Sequence, residues 1–200
     1  MDNYIRIYQD VISDDKCQYF IDKFESYPQF HRIQNTGNNK TLTNINLMNT
    51  GDQTNPFKED SKNIVNSLLN CVELYKKDLG IKPEHWPPKF GIEDIKLKKY
   101  LPNTTDEFPD HADSLTKESS GRFLVMFLYL TDNDQGQTTF RTKGSNVAIS
   151  CRKGTALIFP PFFPWVHAGR APVKVPKYLL GTYLSYIWLD NQVLYAYKYY

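Results

Sequence analysis

The segment FPDHADS, residues 108–114, carries a histidine and a carboxylate two positions apart, His111 and Asp113. In an extended chain, residues i and i+2 project from one face, so both can donate to a single metal ion while Ala112 turns away. With four His and fifteen Asp in 200 residues, composition alone supplies about 0.3 such pairs. The pair therefore needs a third ligand. His31 borders a polar loop and His85 lies in PEHWPP, neither in a strand context. His167 follows GTALIFPPFFPWV and falls at the end of an expected strand. Two histidines and one carboxylate, with adjacent positions left open, form the set that holds non-haem Fe(II) for oxygen chemistry. Zinc, which favours a tetrahedral site with one open position, is compatible with the same three residues.

Ten residues beyond His167 stands Lys177, in the strand-like run KYLLGTYLSY. Lys177, Leu179, Gly181, Tyr183 and Ser185 share one face of that run. If this face lines the cavity, an ammonium points into apolar space and requires an anion. A dicarboxylate chelating the metal at one end would bring its far carboxylate there. If the other face is inward, Lys177 is one of 18 lysines in water.

These side chains need a scaffold. YIRIYQDV alternates as a first strand. Ser13 or Asp14 can cap a helix over 14–26, with Cys17, Phe20, Ile21 and Phe24 on one face, and Pro28 beyond it. Residues 31–60 are rich in Asn, Thr, Gly and Asp and read as a lid loop or as short irregular strands. A second helix is expected over 57–79, ended by Gly80 and Pro83. From residue 92 the pattern turns to strands: 92–101, 122–131, 137–141, 146–150, 155–160, 164–168 and 177–189. Their spacing suits a jelly roll. The run 123–130 is apolar on both faces. Phe123, Val125, Phe127 and Tyr129 lie on one side, and Leu124, Met126, Leu128 and Leu130 on the other. Such a strand needs two covering layers, and the helices can supply one. The fold class is therefore mainly β with α: one domain, with residues 1–90 as helical support and lid and 91–190 as the jelly-roll core.

Composition narrows the function. The formal charge of +2 gives no field for polyanions. The lysines at 76–77 and at 96, 98 and 99 read as solvated faces rather than a nucleic-acid patch. No apolar run approaches the roughly 20 residues of a membrane helix, and MDNYIRIYQD lacks a signal-peptide core. Three cysteines, an odd number, argue against a disulfide framework and for a cytoplasmic setting.

The His-x-Asp pair, the distal His and the Lys ten residues on resemble the prolyl 4-hydroxylase type of Fe(II)/2-oxoglutarate-dependent oxygenase. LKKYLPNTTDEFPDHADS, RFLVMFLYLTDNDQGQTTF and CRKGTALIF follow that family's segments in order, over residues 91 to 189. The resemblance implies that His111, Asp113 and His167 bind iron. It implies that Lys177 and Tyr100 hold the C5 carboxylate of 2-oxoglutarate, and that O2 and ascorbate take part. It further implies hydroxylation of a proline-containing peptide, coupled to decarboxylation of 2-oxoglutarate to succinate. Tyr183, Trp165 and Phe159 are the expected walls and substrate contacts, and Arg122 is either a further substrate contact or one half of a structural salt bridge. Two departures stand out. The family's Gly-Gly-Glu turn is Gln135-Gly136-Gln137, read as affecting only a hairpin, and Tyr183 replaces a substrate-facing Trp. Lysyl, free amino acid or small-molecule substrates remain open. A non-catalytic jelly-roll binding module is the other reading, and the intact four-residue set speaks against it.

Overall fold

A computed structural model describes residues 2–48, 54–142, 145–187 and 195–197. Its helices are α1 (Asp14–Ser26) and α2 (Lys58–Asp78). Its strands are β1 (Arg6–Tyr8), β2 (Arg32–Gly37), β3 (Lys40–Asn46), β4 (Phe90–Ile92), β5 (Lys96–Tyr100), β6 (Phe108–His111) and β7 (Arg122–Tyr129). They continue as β8 (Asn133–Thr142), β9 (Ser145–Cys151), β10 (Ala156–Phe159), β11 (Val166–Gly169), β12 (Lys177–Tyr186) and β13 (Tyr195–Tyr197). Residues 49–53 of the expected lid and 188–189 of the last expected strand lie outside the described residues.

The helices start and stop for local reasons. Ser13 Oγ accepts the Lys16 N–H at 3.3 Å, and Asp14 and Asp15 fill the first turn of α1, where the helix dipole favours negative charge. Beyond α2, Gly80 takes φ +61°, a left-handed turn that costs glycine nothing. Among the described residues no helix is long and apolar enough to cross a membrane.

The strands form two antiparallel sheets. The larger runs β1-β10-β7-β12-β5-β3-β2, with β4 joined to β12 and β13; the smaller runs β6-β11-β8-β9. This is a jelly roll carrying helices on one outer face. The expected strand 92–101 is two strands, because β4 pairs with Leu184–Tyr186 of β12 whereas β5 pairs with Lys177–Gly181. Much of the polar stretch 31–60 is a regular hairpin, β2–β3, added to β5 at the sheet's edge. Its two-residue loop, Asn38-Asn39, sits at φ 52° and 56°, the geometry that matches strand twist and that asparagine tolerates.

Strand β7 divides the interior. Leu124, Met126, Leu128 and Leu130 pack with Phe20, Phe24, Leu68 and Val72 of the helices. Val125, Phe127 and Tyr129 pack between the sheets with Phe140 and Phe159. Phe123 departs from strict alternation and joins the helix-side cluster, against Trp86 and Phe90. Opposite it the register slips, with Arg122 facing Ser185 and Leu124 facing Leu184, so Phe123 is the extra residue of a bulge.

The amino-terminal segment is latched where Val11 N–H bonds Gly154 O at 2.8 Å. Gly154 has φ +73°, and a Cβ there would lie 2.6 Å from Ile12 O. Gly154→Ala is expected to cost about 2 kcal/mol or more of unfolding free energy, read as a lowered denaturation midpoint in urea.

Candidate active site

Pairing of β6 with β11 places His167 directly opposite His111. Their rings are 4.3 Å apart between centroids. Asp113 follows the strand end, where its N–H and that of Ser114 both bond Pro161 O, at 2.7 and 3.1 Å. One ligand atom from each of the three residues lies within 4.8 Å of the others.

Each imidazole is aimed by its far nitrogen. His111 Nδ1 lies 2.7 Å from Pro109 O, and His167 Nδ1 lies 3.2 Å from Trp165 O. A carbonyl only accepts, so Nδ1 carries the proton and each Nε2 turns a lone pair inward. Asp113 Oδ1 accepts the Tyr183 hydroxyl at 2.7 Å. Its Oδ2 sits 3.2 Å from His167 Nε2, yet among the described residues neither atom has a hydrogen-bond partner. Burial by itself raises the Asp113 carboxyl; the group stays ionised only with positive charge beside it, from protonated imidazoles or from a bound cation in their place. An ionised carboxylate facing two imidazole lone pairs in a buried place is a set of acceptors without a donor. A divalent cation completes it, and this donor set fits Fe(II).

Arg122 and Tyr183, expected against substrate, also brace the ligands. Glu93 accepts from Arg122 Nε and Nη2 at 2.9 and 2.8 Å, and Arg122 Nη1 donates to Asp113 O at 3.1 Å. The guanidinium lies 3.8 Å over the Tyr183 ring. Phe159 is fully buried, 4.7 Å from the His167 ring. Trp165 lines neither cavity of the site; its ring meets Tyr4 and Phe162 edge-on, and its carbonyl orients His167.

Two spaces meet at the triad. A narrow slot runs inward past Lys98, Tyr100, Thr138 and Gly169. Beside its inner end lies Lys177, fully buried and opposite Tyr100 in the β5–β12 register. Lys177 Nζ donates to Gly136 O at 2.8 Å and Arg170 O at 3.2 Å, and lies 4.4 Å over the Tyr100 ring. No carboxylate pairs with it among the described residues, and burial pushes its pKa down to about 8. A Cβ on Gly169 would approach Tyr100 Oη at 3.4 Å and Lys177 Nζ at 3.6 Å, so glycine keeps this end open. The wider space is a cleft of about 730 Å³ on the solvent side, bordered by Glu93, Lys96, Glu118, Arg122, Gly181 and Tyr183.

No protein-family model matches the sequence, and no curated protein matches it. Solved structures do match the fold. A viral collagen prolyl hydroxylase from Paramecium bursaria Chlorella virus-1, in complex with 2-oxoglutarate, superposes with a TM-score of 0.65 at 15% identity, covering 92% of this chain and 97% of that one. A prolyl hydroxylase from Trichoplax adhaerens, bound to a hypoxia-inducible-factor peptide fragment, gives 0.68 at 15% identity, covering 92% and 84%. A non-haem α-ketoglutarate-dependent carbocyclase from nogalamycin biosynthesis gives 0.61 at 13%, covering 91% and 79%. The fold is that of the 2-oxoglutarate/Fe(II) oxygenases.

Within this oxygenase fold, three features escape the sequence reading. Gly136 does more than turn a hairpin: its carbonyl holds Lys177, and a Cβ there would meet Lys177 Cδ at 3.1 Å. Glu93 joins Arg122, Ser185 and the Thr182 hydroxyl around the metal-side strands. Lys98, taken as part of a solvated face, is only 6% exposed. Alternation along β5 explains it, because a cavity-facing Tyr100 places Lys98 on the same face; Lys99 turns outward to Glu25 at 2.7 Å.

Tyr183→Phe removes the hydrogen bond that leaves Oδ2 as the free oxygen of Asp113. Divalent-metal affinity is expected to drop about tenfold, measured by anaerobic Fe(II) or Mn(II) titration.

Proposed function

We propose that the protein is a 2-oxoglutarate- and Fe(II)-dependent dioxygenase that hydroxylates a peptidyl proline and releases succinate and CO2. One observation carries the reading. Two imidazoles and a carboxylate converge with bare ligand atoms, and a buried ammonium that no carboxylate among the described residues pairs lies beside the far end of the adjoining slot. A metal answers the first and a dicarboxylate the second.

In this reading His111, Asp113 and His167 hold the iron. Tyr183, Pro109 O and Trp165 O keep those ligands aimed. Lys177 and Tyr100 receive the C5 carboxylate. Among the described residues the Tyr100 hydroxyl has no hydrogen-bond partner, and burial raises its pKa far above the usual tyrosine value, so it stays a donor. Bound iron and 2-oxoglutarate supply an oxidant made from O2, and ascorbate would keep the metal reduced. The aromatic packing of Phe127, Phe140 and Phe159 behind His167 excludes water from that side.

The cleft is large enough for a peptide segment, and the Trichoplax enzyme binds a peptide on the same fold. Arg122, neutralised by Glu93 and stacked on Tyr183, forms one wall. The β2–β3 hairpin borders the cleft through Gln34 and is the segment we assign to contact substrate. The three cysteines are free and buried, which suits a reducing cytoplasmic compartment. The carbocyclase carries the second reading: the same fold accepts a small molecule, so fold does not select substrate.

Incubation with Fe(II), 2-oxoglutarate and ascorbate should add one oxygen atom to a member of a proline-peptide panel, detected by mass spectrometry. Succinate release should vanish in His111→Ala. Succinate release without any modified peptide would favour the small-molecule reading, and no succinate would end both. The pH dependence follows from Lys177. An ordinary lysine stays charged up to 10.5, whereas this one loses its proton near 8 in the unliganded protein. Affinity for 2-oxoglutarate should therefore hold below pH 8 and decline above it, measured by calorimetry. Lys177→Met should weaken binding by about tenfold or more at neutral pH.

A further inference from the structure

Lys98 is a second buried ammonium, and it has less support than Lys177. It is 6% exposed. Among the described residues it has neither a hydrogen bond nor an ion pair. Its Nζ lies 5.9 Å from the Phe108 ring centroid and 5.5 Å from that of Phe127, contacts too long and too weak to replace a lost hydration shell. Phe108 is itself stacked on His111 at 3.9 Å, so the ammonium is held at the metal end of the slot. It borders both the slot and the cleft. Asp113 is the foremost charge favouring its protonated form.

The sheet register relates the two lysines. Lys177 faces Tyr100 across β5–β12, and Lys98 faces Leu179 in the next inward pair. They are thus one inward repeat apart along the sheet, about 7 Å. One lies beside the inner end of the slot and the other at the triad. A five-carbon diacid has the same polarity, with a negative group at each end. A cation held by the triad would also take up the Asp113 charge and leave Lys98 without any anion. A carboxylate arriving beside the metal restores one.

We propose that Lys98 is a second cosubstrate-binding residue, receiving the C1 carboxylate of 2-oxoglutarate while Lys177 receives the C5 carboxylate. This rests on the oxygenase reading above. A carboxylate on the substrate is the competing source of the same chemistry. Burial favours the cosubstrate: Lys96, one inward position further out, is the lysine that faces the cleft and not the slot.

The test compares three ligands on Mn(II)-loaded protein by calorimetry, without turnover. These are 2-oxoglutarate, 2-oxopentanoate (a methyl in place of the C5 carboxylate) and 4-oxopentanoate (a methyl in place of the C1 carboxylate). Lys98→Met should weaken 2-oxoglutarate and 2-oxopentanoate by about tenfold or more and leave 4-oxopentanoate unchanged. Lys177→Met should show the reverse preference between the two monoacids. Lys98→Gln, neutral but still polar, repeats the measurement should methionine disturb folding. Unaltered keto-acid binding in both Lys98 variants, or equal loss for all three ligands, overturns the assignment while leaving the oxygenase reading intact. Wild-type protein that binds no 2-oxoglutarate overturns both.

Discussion

Strand register is the constraint on which the site depends. Side chains alternate across a sheet with a period of two, so a slip of one residue sends every inward group outward. Three pairings fix the inward set: His111 against His167, Tyr100 against Lys177, and Gly181 against Phe127. Each joins segments distant in sequence. The histidine pair belongs to the smaller sheet and the lysine pair to the larger one. The slot exists because the two sheets face each other across a shared apolar core. Gly169 lines that slot and leaves its inner end without a Cβ.

Against this ordered frame, the electrostatics of the site are left incomplete. Among the described residues, Lys98 and Lys177 are buried cations without a carboxylate partner, and Asp113 Oδ2 and His167 Nε2 are buried acceptors without donors. Each is unfavourable by itself, since low-dielectric surroundings penalise an unpaired polar group. Their concentration in one place is what gives the arrangement meaning. Elsewhere among the described residues Trp86 Nε1 is the buried side-chain atom left without a partner, whereas other polar groups are met locally: Tyr129 bonds Thr138, Asn133 supports the turn before Gly136, and Arg170 reaches Glu107 and Asp110. Groups missing their partners occur where ligands are expected, a pattern consistent with local rules being broken at functional sites.

Much of this was legible because period-two alternation is a local property. The pairing of His111 with Asp113, the set of residues sharing a face with Lys177 and the division of β7 into two faces follow from it, whereas which face of β12 points inward does not. The helices were equally plain, with Ser13 and Gly80 marking their ends. What alternation does not reveal is where it breaks. The bulge at Phe123 depends on a partner strand sixty residues away, which no window of the sequence contains. The β2–β3 hairpin hides behind asparagines and threonines because its strands lie at a sheet edge, with Ile33 81% exposed. Lys98 was misread for another reason. Charge clusters are read by composition, yet within LKKY the outward and inward lysines differ only in parity, and Tyr100 already fixed that parity.

The two faces of β7 have a practical consequence for engineering. Leu124, Met126 and Leu128 touch the helices, while Val125, Phe127 and Tyr129 touch the cavity layer. Thermal robustness can be altered through the even-numbered positions and ligand selectivity through the odd-numbered ones. A library divided along this single strand would let the two traits evolve separately on the shared backbone of β7.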